Sequence, residues 1–168
     1  MMKAWLFGIV CLLAALASSP GLAEKKSPDH LEATVALKKP GSDQVIVVRA
    51  KRIPAKGFLS GAIVGDTGKG EGLVSVSFDA LSRIEQGDNA ADWSFYPKEN
   101  TEWGETVYRL TRASVSAMDE TYEPRFKRMA FPECEQGGMV GFLYHNETFD
   151  EDQWYFVCAE HINYLEFK

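Results

Sequence analysis

Catalytic signatures are what this chain lacks most. It has three histidines, His30, His145 and His161, and three cysteines in 168 residues. No Gly-x-Ser-x-Gly elbow appears, so a serine hydrolase triad has no support. The glycine-rich stretch Gly65–Gly72 (GDTGKGEG) lacks the Ser or Thr after the lysine that a phosphate loop needs. It also lacks dinucleotide-binding spacing and a following helix. His145 and His161 lie near opposite ends of a predicted hairpin, on different faces, so they do not predict a shared metal. The acidic run Glu147, Asp150, Glu151, Asp152 offers oxygen ligands without the ordered spacing of a calcium loop. No catalytic residue, metal site or cofactor is predicted. There is no internal repeat, low-complexity tract or second long apolar run.

The leader is what speaks most clearly. Lys3 precedes an uncharged run, Trp5–Ala17, followed by Ser18-Ser19-Pro20-Gly21-Leu22-Ala23. One positive charge, an apolar core and small residues before a break predict a signal peptide over residues 1–23, cleaved after Ala23. The alternative, an uncleaved anchor, has enough uncharged length but is interrupted by Pro20 and Gly21. Cys11 lies within the apolar run rather than at its end, which does not suit lipid attachment. The expected location is therefore periplasmic or secreted, with no membrane association after cleavage.

The remaining chain has 168 − 23 = 145 residues, enough for one core-forming domain. Removing Lys3 leaves 17 basic and 24 acidic residues, a net of −7. The charge is uneven: Glu24–Gly57 carries 8 − 4 = +4 and Phe58–Lys168 carries 9 − 20 = −11. An acidic body argues against nucleic acid or an anionic membrane as partner. It suits a basic protein partner, and equally acidity for solubility alone. Cys134 and Cys158 are an even pair that an oxidising compartment would join.

Period-two alternation dominates from Leu31 onward. Residues 24–30 read as a flexible arm, and 31–168 as one β-rich domain. Leu31–Leu37, Gln44–Arg52, Phe58–Val64 and Leu73–Asp79 read as successive antiparallel strands. Asp79–Gln86 is a helix candidate, with Leu81 and Ile84 three apart and Gly87 to end it. Ala113–Glu123 fits helix or strand. Gly138–His145 and Gln153–His161 flank Asn146–Asp152 as a hairpin, with a register pairing His145 with Trp154, Tyr144 with Tyr155, Phe142 with Val157 and Gly141 with Cys158. Asn146-Glu147-Thr148 at its tip is a glycosylation sequon, relevant only in a eukaryotic secretory pathway. The expected fold is mainly β: a single antiparallel β-sandwich or open barrel with one or two short helices.

These features predict an exported, non-enzymatic binding protein, of inhibitor or immunity type, whose protein partner is basic around its active cleft. Two other classes remain open: an envelope enzyme with dispersed carboxylates, and an accessory or small-ligand-binding protein. The predicted contact residues are Trp93, Tyr96, Glu99, Glu102 and Trp103, where rings and acids share a loop. The other reading of those rings is a lid on the core. The flexible loop at Gly68, Lys69 and Gly70 is the second predicted contact.

Overall fold

The computed structural model describes residues 29–39, 41–55, 61–70, 72–118 and 132–168. The predicted signal segment and most of the predicted arm lie outside these residues. Ten strands form one antiparallel sheet that curls into a half-barrel. They are β1 (His30–Lys38), β2 (Val45–Pro54), β3 (Ala62–Asp66), β4 (Leu73–Ser77), β5 (Leu81–Gln86), β6 (Trp93–Pro97), β7 (Tyr108–Ser116), β8 (Met139–Asn146), β9 (Glu151–Cys158) and β10 (Ile162–Phe167). Across the sheet the order is β4-β3-β7-β6-β5-β10-β1-β2-β8-β9. A parallel bridge between Ala117 and Val140 draws the end of β7 onto β8, which fixes the curl. β1 and β2 are neighbours, as are β3 and β4, but β2 does not pair with β3. The predicted arm ends earlier than residue 30: His30 opens β1 opposite Pro54, and Asp29 accepts the Ala55 N–H.

The expected short helices reduce, among the described residues, to two 3-10 turns at Phe78–Ala80 and Ala159–His161. The helix predicted at Asp79–Gln86 is a correction with a clear cause. Its last six residues are β5, and the pairing with β6 slips between Leu81 and Arg83. The bulge gives β5 an extra residue, so Leu81 and Ile84 both turn inward at a three-residue spacing. A bulged strand thus imitates a helix. β7 bulges likewise: three residues of β3 (Val64 to Asp66) face four of β7 (Thr111 to Ser114), and Arg112 takes φ 52°. Leu110 and Ala113 then share the interior; of Ala113–Glu123, which fits helix or strand by sequence, residues 113–116 belong to β7 and 119–123 lie outside the described residues.

The β8–β9 hairpin forms, with its register two residues from the predicted one: Tyr144 faces Gln153, Phe142 faces Tyr155 and Met139 faces Cys158. A two-residue slip preserves which face each side chain occupies. The turn is shorter than the predicted loop because Asn146 pairs with Glu151 and leaves only Glu147–Asp150 between strands.

The interior is filled by large side chains. Trp93, Phe78, Phe95, Phe142, Leu81 and Leu165 are among those fully enclosed. Phe78 stacks on Phe167 at 4.7 Å, and Phe95 on Tyr108 at 4.8 Å. Gly138 (φ 90°) enters β8 where an added Cβ would sit 2.5 Å from the Val115 carbonyl oxygen. Beside it, the disulfide Cys134–Cys158 spans Cα atoms 5.3 Å apart and ties the approach to β8 to the end of β9. No helix of the described residues is long and apolar enough to cross a membrane.

Candidate functional site

The predicted contact residues fall into two groups. Along β6 the alternation W-S-F-Y sends Trp93 and Phe95 inward and Ser94 and Tyr96 outward. Trp93 is 1% exposed, and its Nε1–H donates to the Ala90 carbonyl at 3.1 Å. As a contact anchor Trp93 is therefore a correction: its ring is core. Trp103 is half-buried and packs edge-on against Phe95 (5.6 Å) and Tyr108 (5.8 Å). The Tyr108 hydroxyl donates to the Trp103 carbonyl at 2.9 Å, so this ring lids the core. Tyr96 is half-buried on the outer face, its hydroxyl 3.4 Å from Glu85. Glu99 and Glu102 remain exposed. Gly68, Lys69 and Gly70 are exposed at the β3–β4 tip, where Gly68 and Gly70 have φ 74° and 76°. β3 and β6 flank β7 on opposite sides, so this tip and the Glu99–Glu102 loop both lie beside the start of β7.

The combination sought there, exposed aromatic area among carboxylates, occurs instead where β2, β8 and β9 meet. Five of the seven large hydrophobics most exposed among the described residues lie here: Val45, Ile46, Val47, Phe149 and Tyr155. Such clustering differs from the single scattered apolar residues that are ordinary on a protein surface. Val48 faces Val35 on the concave side, and Phe142 faces Tyr155. Val48, Phe142 and Tyr155, with Leu37 and Tyr144, line an apolar dimple of about 110 Å³. The rings of Phe142, Tyr144 and Tyr155 stand 5.6–6.3 Å apart around it. Val48 and Tyr144 also line a wider groove of about 640 Å³, with Val47, Arg49, His145 and Glu147 on its walls.

The hairpin tip beside this groove is held by the sequon asparagine. Asn146 Oδ1 accepts the Thr148 N–H at 3.0 Å, and its carbonyl accepts the Phe149 N–H at 3.2 Å. Its Nδ2 donates to Gln153 Oε1 at 2.9 Å and to the Tyr144 hydroxyl at 3.3 Å. Asp150 closes the turn with φ 51°. The result is a tip that presents Phe149, 68% exposed, between Glu147 and Asp150.

Charge behind the tip is organised around Asp152. Lys51 Nζ donates to Asp152 Oδ1 at 2.6 Å, and His145 Nδ1 lies 3.0 Å from the same oxygen. These two contacts, Lys51 first, hold the Asp152 carboxyl below its ordinary pKa. At the β3–β4 tip, the Gly68 N–H and then Arg112 do the same for Asp66. Both carboxyls are held toward the charged form. Among the described residues, no three His, Cys, Asp or Glu side chains converge in a way that could hold a metal ion.

Sequence reasoning passed over this corner because Phe149 is a single ring in an acidic run, and Val45–Val47 read as ordinary strand. The available signal was that ring itself: a phenylalanine at the centre of Asn-Glu-Thr-Phe-Asp-Glu-Asp has no core to enter. The fold and this corner define the class, an antiparallel β half-barrel with a filled interior and an aromatic-acidic hairpin tip. Comparisons with family models, curated proteins and solved structures found no match.

Proposed function

We propose that this chain is an exported, non-enzymatic binding protein of inhibitor type. In this reading the β8–β9 tip enters a basic cleft of a secreted or envelope-acting enzyme, and the apolar strip of β2 packs on the cleft rim. The observation that carries it is the concentration of exposed apolar side chains around a turn held by Asn146 and bearing Phe149 among carboxylates. A large ring anchors at low entropy cost, and surrounding acids steer and select a basic partner.

One feature favours protein contact over small-ligand carriage. Small-ligand carriage in a barrel calls for an internal cavity, and here the interior is occupied by Phe78, Trp93, Phe95 and Phe142. The disulfide suits the oxidising compartment to which the leader points.

The test is affinity capture from the extracytoplasmic fraction of the native host, comparing wild type with Phe149→Ala and Asp150→Lys. The expected result is an enzyme retained by wild type, inhibited on binding, lost from both variants and released as salt rises. Equal retention by all three proteins would refute the proposed tip.

A further inference from the structure

The two edges of the sheet are protected differently. β9 opens with the charges Glu151 and Asp152, and its Trp154 and Phe156 are engaged in contacts. β4, at the other edge, reads Leu-Val-Ser-Val-Ser. It has no charge, proline or bulge, the usual devices against strand addition. Its first residue, Leu73, is 73% exposed, the most exposed large hydrophobic among the described residues. Among the described residues, no strand pairs with its outer side.

The phase of the ladder shows which backbone groups face outward. Phe78 N–H donates to Gly61 O at 2.8 Å, in register with Ser77 facing Ala62. Antiparallel positions alternate, so Val76 and Val74 direct their N–H and C=O groups to β3. Leu73, Ser75 and Ser77 therefore direct theirs away from the sheet. These three positions are symmetric about Ser75.

We propose that β4 is a homotypic docking edge that pairs antiparallel with β4 of a second copy about a twofold axis at Ser75. Ser75 exchanges both backbone bonds with its counterpart, and Leu73 exchanges both with Ser77 of the second copy, giving six bonds. Val74 then faces Val76 of the other copy, extending the buried side of the sheet, while on the outer side Ser75 meets its counterpart and Leu73 meets Ser77 of the other copy. A two-fold edge needs a self-complementary sequence, and a five-residue strand with apolar residues at 74 and 76 around a serine centre supplies one. Two strands of this length fall short of the roughly 1,200 Å² that stable complexes bury, so the dimer is weak and concentration-dependent. The β8–β9 tip is not involved, so this inference is independent of the inhibitor reading.

Sedimentation equilibrium of the purified protein tests it, with far-ultraviolet circular dichroism and the melting temperature as controls for folding. Ser75→Pro removes an N–H that faces solvent in the monomer, which an edge strand tolerates, and should abolish the dimer with the fold retained. Ser75→Lys and Ser75→Glu each place like charges across the axis and should weaken it by about fivefold. Mixing the two charged variants should restore association. A protein that stays monomeric to about 1 mM, or a dimer that survives Ser75→Pro, would overturn the proposal. Association that the mixture does not restore would also overturn the axis at Ser75.

Discussion

Replacing Trp93 by alanine separates the two meanings an aromatic-rich segment can have. The ring is 1% exposed in the interior that also holds Phe95 and Leu110, and its N–H is satisfied by Ala90 O. Truncation removes the transfer free energy of the indole and leaves a cavity that a curled sheet cannot fully collapse. The expected loss is about 3–5 kcal/mol. Against a total stability of about 5–15 kcal/mol that is a large fraction, and the melting temperature should fall by about 10 °C or more. Loss of the hydrogen bond orphans nothing, because Ala90 O also faces Gln86 Nε2 at 3.4 Å. Trp93→Phe should therefore cost less than half as much. Urea denaturation followed by circular dichroism reads both variants, with Phe149→Ala as the exposed comparison, expected within about 0.5 kcal/mol of wild type. A Trp93→Ala loss below about 1 kcal/mol would refute the core assignment and return this ring to the candidate surface.

The disulfide closes a segment with a sequence separation of 24, and Cys158→Ser should lower stability by about 3 kcal/mol in the chain-entropy model, read as a shift in the denaturation midpoint. Gly138→Ala forces a side chain into φ 90° and against Val115 O, so a loss above about 2 kcal/mol is expected in the same assay. Asp152 and Asp66 have folded-state pKa values below the ordinary 3.8. Their contribution is present above that value and is lost as pH falls through the lowered one, so stability should decline below about pH 4. The decline should be shallower in Asp152→Asn, and because the pair is exposed the effect should shrink in high salt.

Much of the sheet was legible because period two survives wherever one strand face meets the core, as in β1, where Leu31, Ala33 and Val35 are enclosed. The hairpin is legible for the same reason, with turn residues marking its ends, and the disulfide because Cys134 and Cys158 are an even pair. A bulge breaks the pattern in β5. At Ser82 one added residue converts a two-residue spacing to three, which a helix also has, and only the pairing with β6 reveals the difference. The register of β8 and β9 was missed by two because ring-to-ring pairing was weighed above the turn, while Asn146 fixes the turn through bonds to Thr148, Phe149 and Gln153. The candidate surface was least legible. Strand order places the Val45–Val47 strip next to the β8–β9 turn, about 100 residues on, and local composition carries no trace of that meeting.

The proposed contact surface is the β8–β9 tip. A photoreactive amino acid placed at position 149, and separately at position 102, tests it directly in the native host. Irradiation should link position 149 to one basic secreted or envelope enzyme, and position 102 should give no such product. Cross-linking of that enzyme from position 102 and not from 149 would contradict the account.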